Sequence, residues 1–156
     1  ILTMPNDDIT HPIADLTGYI TEGQIVLDRA LDSTGVYPPV SILPSLSRLK
    51  EDRVGEGYTR DDHSAVANQL FSCYARVLEA RSLASVIGED ELSPDDKLLM
   101  EFGRAFEQQF INQGAEERRT VTETLDLGWR LLSVLPCRML ERVSDAMLDE
   151  HYTGKG

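Results

Sequence analysis

The chain has 156 residues, with 27 acidic side chains against 15 basic ones and a formal net charge of −12. Such a surface repels phosphate backbones and anionic lipid, so we expect neither nucleic-acid binding nor docking on an acidic membrane. No apolar run approaches the roughly 20 residues that cross a bilayer, so we expect no membrane insertion.

Residues 1 to 55 are rich in turns, and five of the seven prolines precede residue 50. In chain order we predict a short helix over 14–21, a strand over 24–29 and a helical turn over 30–34 that ends at Gly35. The segment Tyr37-Pro38-Pro39 is stiff and extended, and residues 43–49 form an apolar turn that presents one cation, Arg48. With so few strands no parallel sheet can form. Because the chain begins at Ile1 rather than Met, we expect a piece of a longer protein.

Residues 59 to 150 have the periodicity of helices. Thr59, Ser93 and Ser144 are predicted N-caps, and Thr120 with Glu123 is a predicted capping box. Between these caps, apolar residues recur at helical spacing, so the stripes belong to a shared core. The sequence therefore predicts a mainly α chain that ends in a small helical bundle. Cys73 and Cys137 lie in apolar patterns, which indicates reduced, buried thiols.

One group near the start could in principle bind a metal, because Asp7, Asp8 and His11 gather carboxylates and an imidazole. Pro5 and Pro12 make this segment a loop, in which Asp and Asn commonly bond their own backbone. A small metal hydrolase that uses these three residues is one hypothesis, and a structural turn is the simpler one.

The stretch from Glu89 to Asp96 concentrates acidic residues around a helix start. A solvated tip is the simplest interpretation, and its functional version is a contact for a basic partner. An acidic helical adaptor that binds a basic protein is therefore a second hypothesis.

Several long motifs, in order, resemble the B subunit of V-type and archaeal-type rotary ATPases. The resemblance covers essentially the whole chain, which makes a chance match very improbable. The motifs that carry it are residues 4–13, 15–25, Tyr37-Pro38-Pro39, residues 43–49, Gly55-Glu56-Gly57, residues 59–63, Phe110-Ile111-Asn112-Gln113-Gly114 and the helix around Trp129.

The resemblance implies two regions. Residues 1–55 would be the C-terminal end of a RecA-like α/β nucleotide-binding domain, and residues 56–156 a helical C-terminal domain. It also implies a non-catalytic ring subunit that alternates with the catalytic A subunit and couples ATP synthesis or hydrolysis to ion transport. The complex would lie on the cytoplasmic face of the membrane, with central-stalk and peripheral-stalk subunits as further partners.

The resemblance also assigns individual residues. Arg48 matches an arginine that acts in trans on ATP or ADP with Mg²⁺ at the intersubunit site, and Tyr37 and Ser47 would be close to nucleotide. The acidic residues Asp90, Glu91, Asp95 and Asp96 match a loop near the central stalk. Two positions depart from the family pattern, because Ser41 follows Pro-Pro-Val and Ala14 precedes Asp-Leu-Thr-Gly.

Overall fold

The computed structural model describes residues 1–48, 53–55 and 57–154. The first part of the chain forms a 3₁₀ turn and four longer elements, with the α-helices and strands numbered in chain order. They are the turn Pro5–Asp7, α1 Pro12–Ile20, β1 Gly23–Leu27, α2 Arg29–Ser33 and β2 Val40–Ser47. The rest is helical: α3 His63–Ile87, a 3₁₀ turn Glu89–Glu91, α4 Pro94–Ala105, a π-helical segment Phe106–Ile111, α5 Val121–Leu132, a 3₁₀ turn Cys137–Met139 and α6 Asp145–His151.

Strands β1 and β2 pair antiparallel in a two-stranded sheet. Gly23 lies opposite Ser47 and Leu27 opposite Val40, with a bulge on the β2 side between these pairs. Pro44 has no N–H to contribute to the ladder, and side chains take over at this point. Ser45 Oγ accepts a 2.9 Å hydrogen bond from the Val26 N–H, and Gln24 Nε2 donates to the Pro44 carbonyl at 2.9 Å.

The prediction of an apolar turn over residues 43–49 was wrong, because most of this stretch belongs to β2. The proline suggested a turn, but it occupies the bulge, where a missing N–H costs little. Leu49 lies outside the described residues. The predicted helix, strand and helical turn of the first region are confirmed, with ends that differ by one or two residues.

In the helical region, α3 packs against α4 and α5 around one large apolar cluster. Three phenyl rings on one face of α4 and the π-helical segment stack in sequence. The ring centroids of Phe102 and Phe106 are 5.6 Å apart, and those of Phe106 and Phe110 are 5.0 Å apart. This spacing of four residues aligns the rings along a single helical face.

Three of the four predicted caps are present. Ser93 Oγ accepts from the Asp96 N–H, Ser144 Oγ accepts from the Met147 N–H, and Thr120 with Glu123 forms a capping box. The Thr59 cap was wrong, because α3 begins at His63. Thr59 Oγ1 instead accepts a 2.8 Å bond from the Gly55 N–H, which closes the loop before the helix.

The first region shares the core of the helical region. Leu31 and Val36 are buried in the same cluster as α3, α4 and α5, and Val36 has no exposed surface. By contrast, α1 has no buried residue, and Ile13, Leu16 and Ile20 on it are exposed. Leu31 and Val36 therefore attach β2 firmly to the helices, whereas α1 lies on the surface.

Gly103 allows α3 and α4 to approach closely, since a methyl group there would lie 2.4 Å from Cγ1 of Val77. We predict that Gly103→Ala lowers the free energy of unfolding by about 1–2 kcal/mol. Overpacking costs about 1–3 kcal/mol, which exceeds the gain of up to about 1 kcal/mol in helix propensity. Urea denaturation of the purified protein measures the change.

Gly114→Ala is the matched control, because no atom lies within 4 Å of the methyl group it would add. We expect its effect to stay within about 0.5 kcal/mol. Equal stability of the Gly103→Ala protein and the wild type would refute a tight contact at this crossing.

Candidate functional site

Arg48 lies directly after β2 and is exposed. Its backbone N–H donates to the Glu22 carbonyl at 2.8 Å, which extends the pairing of the two strands by one step. Its Nη2 donates to the Gly18 carbonyl at 2.9 Å. Gly18 lies in the last turn of α1, where carbonyls lack helical donors. A guanidinium carries five N–H donors, so this bond leaves Arg48 able to bind an anion as well.

Ser47 is also exposed and lies beside Arg48 at the end of the sheet. Its pairing partner is Gly23, where a methyl group would lie 2.8 Å from the Leu46 carbonyl oxygen. Glycine at this position is therefore what allows β1 to run so close to the end of β2.

Tyr37 lies before the opposite end of β2, and its side chain is 66% exposed. Because Val40 and Ser47 face strand partners four residues apart, the two ends of β2 are separated by roughly 13 Å. The structure thus brings Ser47 and Arg48 together and keeps Tyr37 at a distance from them.

The acidic residues around the start of α4 are of two kinds. Asp95 pairs with Arg138, and Asp96 accepts a 2.6 Å bond from the Ser93 hydroxyl. Asp90 and Glu91 are exposed on the 3₁₀ turn, and their carboxylates have no hydrogen bond or ion pair within the described part of the chain. These two remain available to a partner.

The three residues of the metal hypothesis have other roles. Asp7 pairs with Arg29 at 3.3 Å, and His11 Nδ1 accepts from the Ile13 N–H at the start of α1. Hydrogen bonds from Thr10 to the Asp8 carboxylate lower the pKa of Asp8. Across residues 1–48, 53–55 and 57–154, no group of three His, Cys, Asp or Glu side chains could hold a metal ion.

A buried carboxylate that the sequence analysis did not single out joins three elements. Asp62 is 3% exposed and accepts bonds from Arg60 Nε at 2.6 Å and Nη2 at 2.8 Å. Trp129 Nε1, from α5, donates to Asp62 at 2.6 Å, and the His151 ring of α6 lies against the Trp129 ring with 5.3 Å between centroids and a tilt of 34°. An arginine two residues before an acid was the only local signal, since the other partners are distant in sequence.

Sequence profiles of known protein families match both regions of the chain. A sequence profile for the C-terminal domain of V and A type ATP synthase matches residues 52–152. The chain belongs to this V- and A-type ATP synthase family. A second profile, for the nucleotide-binding domain of the ATP synthase alpha/beta family, matches residues 1–47.

Relatives of this chain include a V-type ATP synthase beta chain 2 from Clostridium tetani. It is 65% identical over 154 residues, which are 99% of this chain and 34% of that protein. The B subunit of an A-type ATP synthase from Metallosphaera sedula is 56% identical over 158 aligned residues, 99% of this chain and 34% of that one. The chain thus spans about a third of the length of these relatives.

A solved ATP synthase subunit, NeqB from Nanoarcheaum equitans, superposes with a TM-score of 0.75 at 43% identity, over 85% of this chain and 32% of that one. The resemblance to B subunits and the mainly helical fold are therefore confirmed. The division at residues 55 and 56 and the roles of individual residues stay predictions. None of the helices in the described part of the chain combines the length and the hydropathy of a membrane span.

The Asp62 network predicts that the folding stability of this chain depends on pH. Burial opposes ionisation of Asp62, but hydrogen bonds from Arg60 and Trp129 outweigh it and hold its pKa below the ordinary 3.8. A lowered carboxyl pKa adds stability that is present above about pH 4 and is lost as the pH falls through the folded-state value. We therefore expect Asp62→Asn to lower the free energy of unfolding at pH 7 by about 1.5–3 kcal/mol, and to lower it less at pH 3.

Urea denaturation at both pH values measures this difference. Asp126→Asn is the control, because Asp126 bonds the same Arg60 but is 57% exposed, so its loss costs at most about 1 kcal/mol. If Asp62→Asn and Asp126→Asn cost the same, the buried network does not stabilise the fold as described.

Proposed function

We propose that this chain belongs to a non-catalytic ring subunit of a rotary ATP synthase or ATPase. The subunit alternates with the catalytic A subunit and contributes Arg48 in trans to the ATP or ADP and Mg²⁺ held by that neighbour. Nucleotide turnover in the ring is coupled to ion transport, and the complex lies on the cytoplasmic face of its membrane. Central-stalk and peripheral-stalk subunits are its further partners.

The observation that carries this proposal is the placement of Arg48 at the exposed end of a paired strand, in a chain that belongs to the ATP synthase family. Phosphoryl transfer requires stabilisation of charge on the transferred group and little covalent help from the protein. A planar guanidinium that is always charged fits a phosphate with two parallel bonds. Its backbone bond to Glu22 limits how far Arg48 can move at the surface.

The remaining surfaces have separate roles in this proposal. Tyr37 and Ser47 lie close to nucleotide, Tyr37 at the far end of β2 and Ser47 beside Arg48. Asp90 and Glu91 contact a basic surface of the central stalk, while Asp95 and Asp96 also shape the tip through Arg138 and Ser93. In this proposal the basic partner of the adaptor hypothesis is the central stalk, so the acidic contact is one of several within the complex.

Replacement of Arg48 in the full-length subunit, assembled with its neighbours, tests the central assignment. We expect Arg48→Ala to lower ATPase turnover by roughly 10³- to 10⁵-fold, as removal of an arginine finger does elsewhere. Arg48→Lys keeps the charge but not the planar fork, so its turnover should lie between that of the wild type and that of Arg48→Ala. Turnover should fall because charge in the transition state is stabilised less well. Assembly of the ring does not require that interaction, so the ring should still assemble.

Arg130→Ala is the matched control, because Arg130 is an exposed arginine on α5. Its turnover should stay within about twofold of the wild type, since isolated surface changes have small effects. If an assembled Arg48→Ala ring turns over at the wild-type rate, Arg48 is a structural loop residue and the proposal fails.

Neutralising the unpaired acids tests the stalk contact. We expect Asp90→Asn with Glu91→Gln to weaken binding of the assembled ring to its central stalk and to reduce the salt dependence of that binding, because complementary charge speeds association. Titration at two salt concentrations measures both effects. Asp149→Asn with Glu150→Gln removes an exposed acidic pair elsewhere and should change neither; equal effects of the two double variants would contradict a local contact.

A further inference from the structure

Strand β2 contains a bulge directly before the residues that lead to Arg48. Val26 pairs with Ser41, and Gln24 pairs with Leu46. Two residue steps on β1, from 24 to 26, thus lie opposite five on β2, from 41 to 46. Extra residues in one strand bend that strand and increase its local twist. The direction in which β2 continues to Arg48 therefore depends on how this bulge is held.

Two side chains hold this bulge closed. Ser45 Oγ accepts from the Val26 N–H at 2.9 Å and donates to the Ser41 carbonyl at 2.5 Å. Gln24 Nε2 donates to the Pro44 carbonyl at 2.9 Å, at a position where the proline offers no N–H for a ladder bond. Ser45 belongs to β2 itself, so of these two side chains it is Gln24 that reaches the bulge from β1.

Gln24 also lies against the residue that holds the Arg48 side chain. A methyl group added at Gly18 would lie 2.8 Å from Oε1 of Gln24, so the glutamine amide is packed directly on the Gly18 backbone. The Gly18 carbonyl accepts the bond from Arg48 Nη2 at 2.9 Å. The nitrogen of the Gln24 amide therefore holds the bulge that leads to Arg48, and its oxygen lies beside the helix end that binds the guanidinium.

The backbone bonds that follow the bulge carry its register on to Arg48. Ser47 pairs with Gly23, and the Arg48 N–H donates to the Glu22 carbonyl at 2.8 Å. Both partners directly precede Gln24 in the chain. Because side chains alternate between the two faces of a sheet, a slip of one residue at the bulge would turn Arg48 to the other face. Recognition of a phosphate by two parallel bonds also depends on geometry, so a smaller shift of the guanidinium matters as well.

We propose that Gln24 is a positioning residue for Arg48. Its side-chain amide keeps the bulge of β2 in register with β1, and thereby places the Arg48 guanidinium for the nucleotide that the neighbouring subunit holds. This inference rests on the proposed role of Arg48, and Gln24 acts without touching nucleotide. Gln24→Glu keeps the length of the side chain but replaces the N–H donor with an acceptor, whereas Gln24→Ala removes the whole amide.

The test compares the ATPase turnover of rings assembled with the full-length subunit, measured with radiolabelled ATP so that slow rates are detected. The variants are Gln24→Ala, Gln24→Glu, Arg48→Ala and the double variant that combines Gln24→Ala with Arg48→Ala. Gln108→Ala is the matched control, because Gln108 is an exposed glutamine in the π-helical segment. Ring assembly and thermal unfolding of each variant are measured alongside turnover.

We expect Gln24→Ala and Gln24→Glu each to lower kcat by about five- to fiftyfold, because a misplacement of about 1 Å in a catalytic arrangement can cost about 100-fold. The KM for ATP should stay within about twofold, since loss of an interaction made only in the transition state lowers kcat and kcat/KM equally. In the Arg48→Ala background, Gln24→Ala should change turnover by less than about twofold, because residues that act as a unit are not additive. Gln108→Ala should stay within about twofold of the wild type.

Three results would overturn the inference. If Gln24→Ala lowers turnover by the same factor with and without Arg48, Gln24 acts elsewhere in the protein. If both Gln24 variants turn over at the wild-type rate while Arg48→Ala is slow, Arg48 is placed without Gln24, and its own assignment stands. If neither Gln24 variant forms a ring, Gln24 serves assembly and not the placement of Arg48. A wild-type rate in the Arg48→Ala ring would instead contradict the proposed function itself.

Discussion

The burial of Val36 in the helical core attaches the two-stranded sheet, and with it Arg48, to the helices. A fully buried aliphatic side chain contributes about 1.5–3 kcal/mol, and Leu31 adds a second anchor from the same region. Because these residues directly precede β2, their burial fixes the direction in which β2 runs away from the helices. A hydrogen bond from the Tyr37 N–H to Asn112 Oδ1 holds the start of the strand, and pairing with β1 carries that direction to Arg48.

The arginines of the chain differ in whether a carboxylate neutralises them. Two arginines that lie against the core, Arg60 and Arg81, are each paired with a buried carboxylate, because an unpaired charge there would be costly. Arg48 differs from them, since its described side-chain partner is a neutral carbonyl at the surface. The protein therefore keeps a cation available at the end of its sheet.

Much of the fold could be predicted from the sequence where the signal is local. Ser93 and Thr120 are caps whose side-chain bonds span only three residues, and the helices they begin were correctly anticipated. Strand β2 was missed because Pro44 indicates a turn, and only its partner β1 and the bulge explain why a strand tolerates it. The prediction of Thr59 as a cap was wrong because its Oγ1 accepts the Gly55 N–H in the preceding loop, and α3 begins only at His63.

The residues of the candidate site also differ in whether the sequence could reveal them. No local property of Arg48 distinguishes it from other surface arginines, and its assignment came from resemblance to a family. The roles of Glu107 and Gln24 could not be inferred at all, because their partners are Arg81, 26 residues earlier, and Pro44, 20 residues later. Such contacts exist only once the chain has folded, so single-sequence patterns do not contain them.

The most direct measurement of the central claim is a structure of the assembled ring with a non-hydrolysable ATP analogue and Mg²⁺. We predict that the Arg48 guanidinium lies within about 2.7–3.2 Å of a terminal phosphate oxygen of the nucleotide on the neighbouring subunit. Its bond to the Gly18 carbonyl either breaks or is kept beside this new bond. A guanidinium that stays on Gly18, with no phosphate in reach at any interface, would contradict a role in trans.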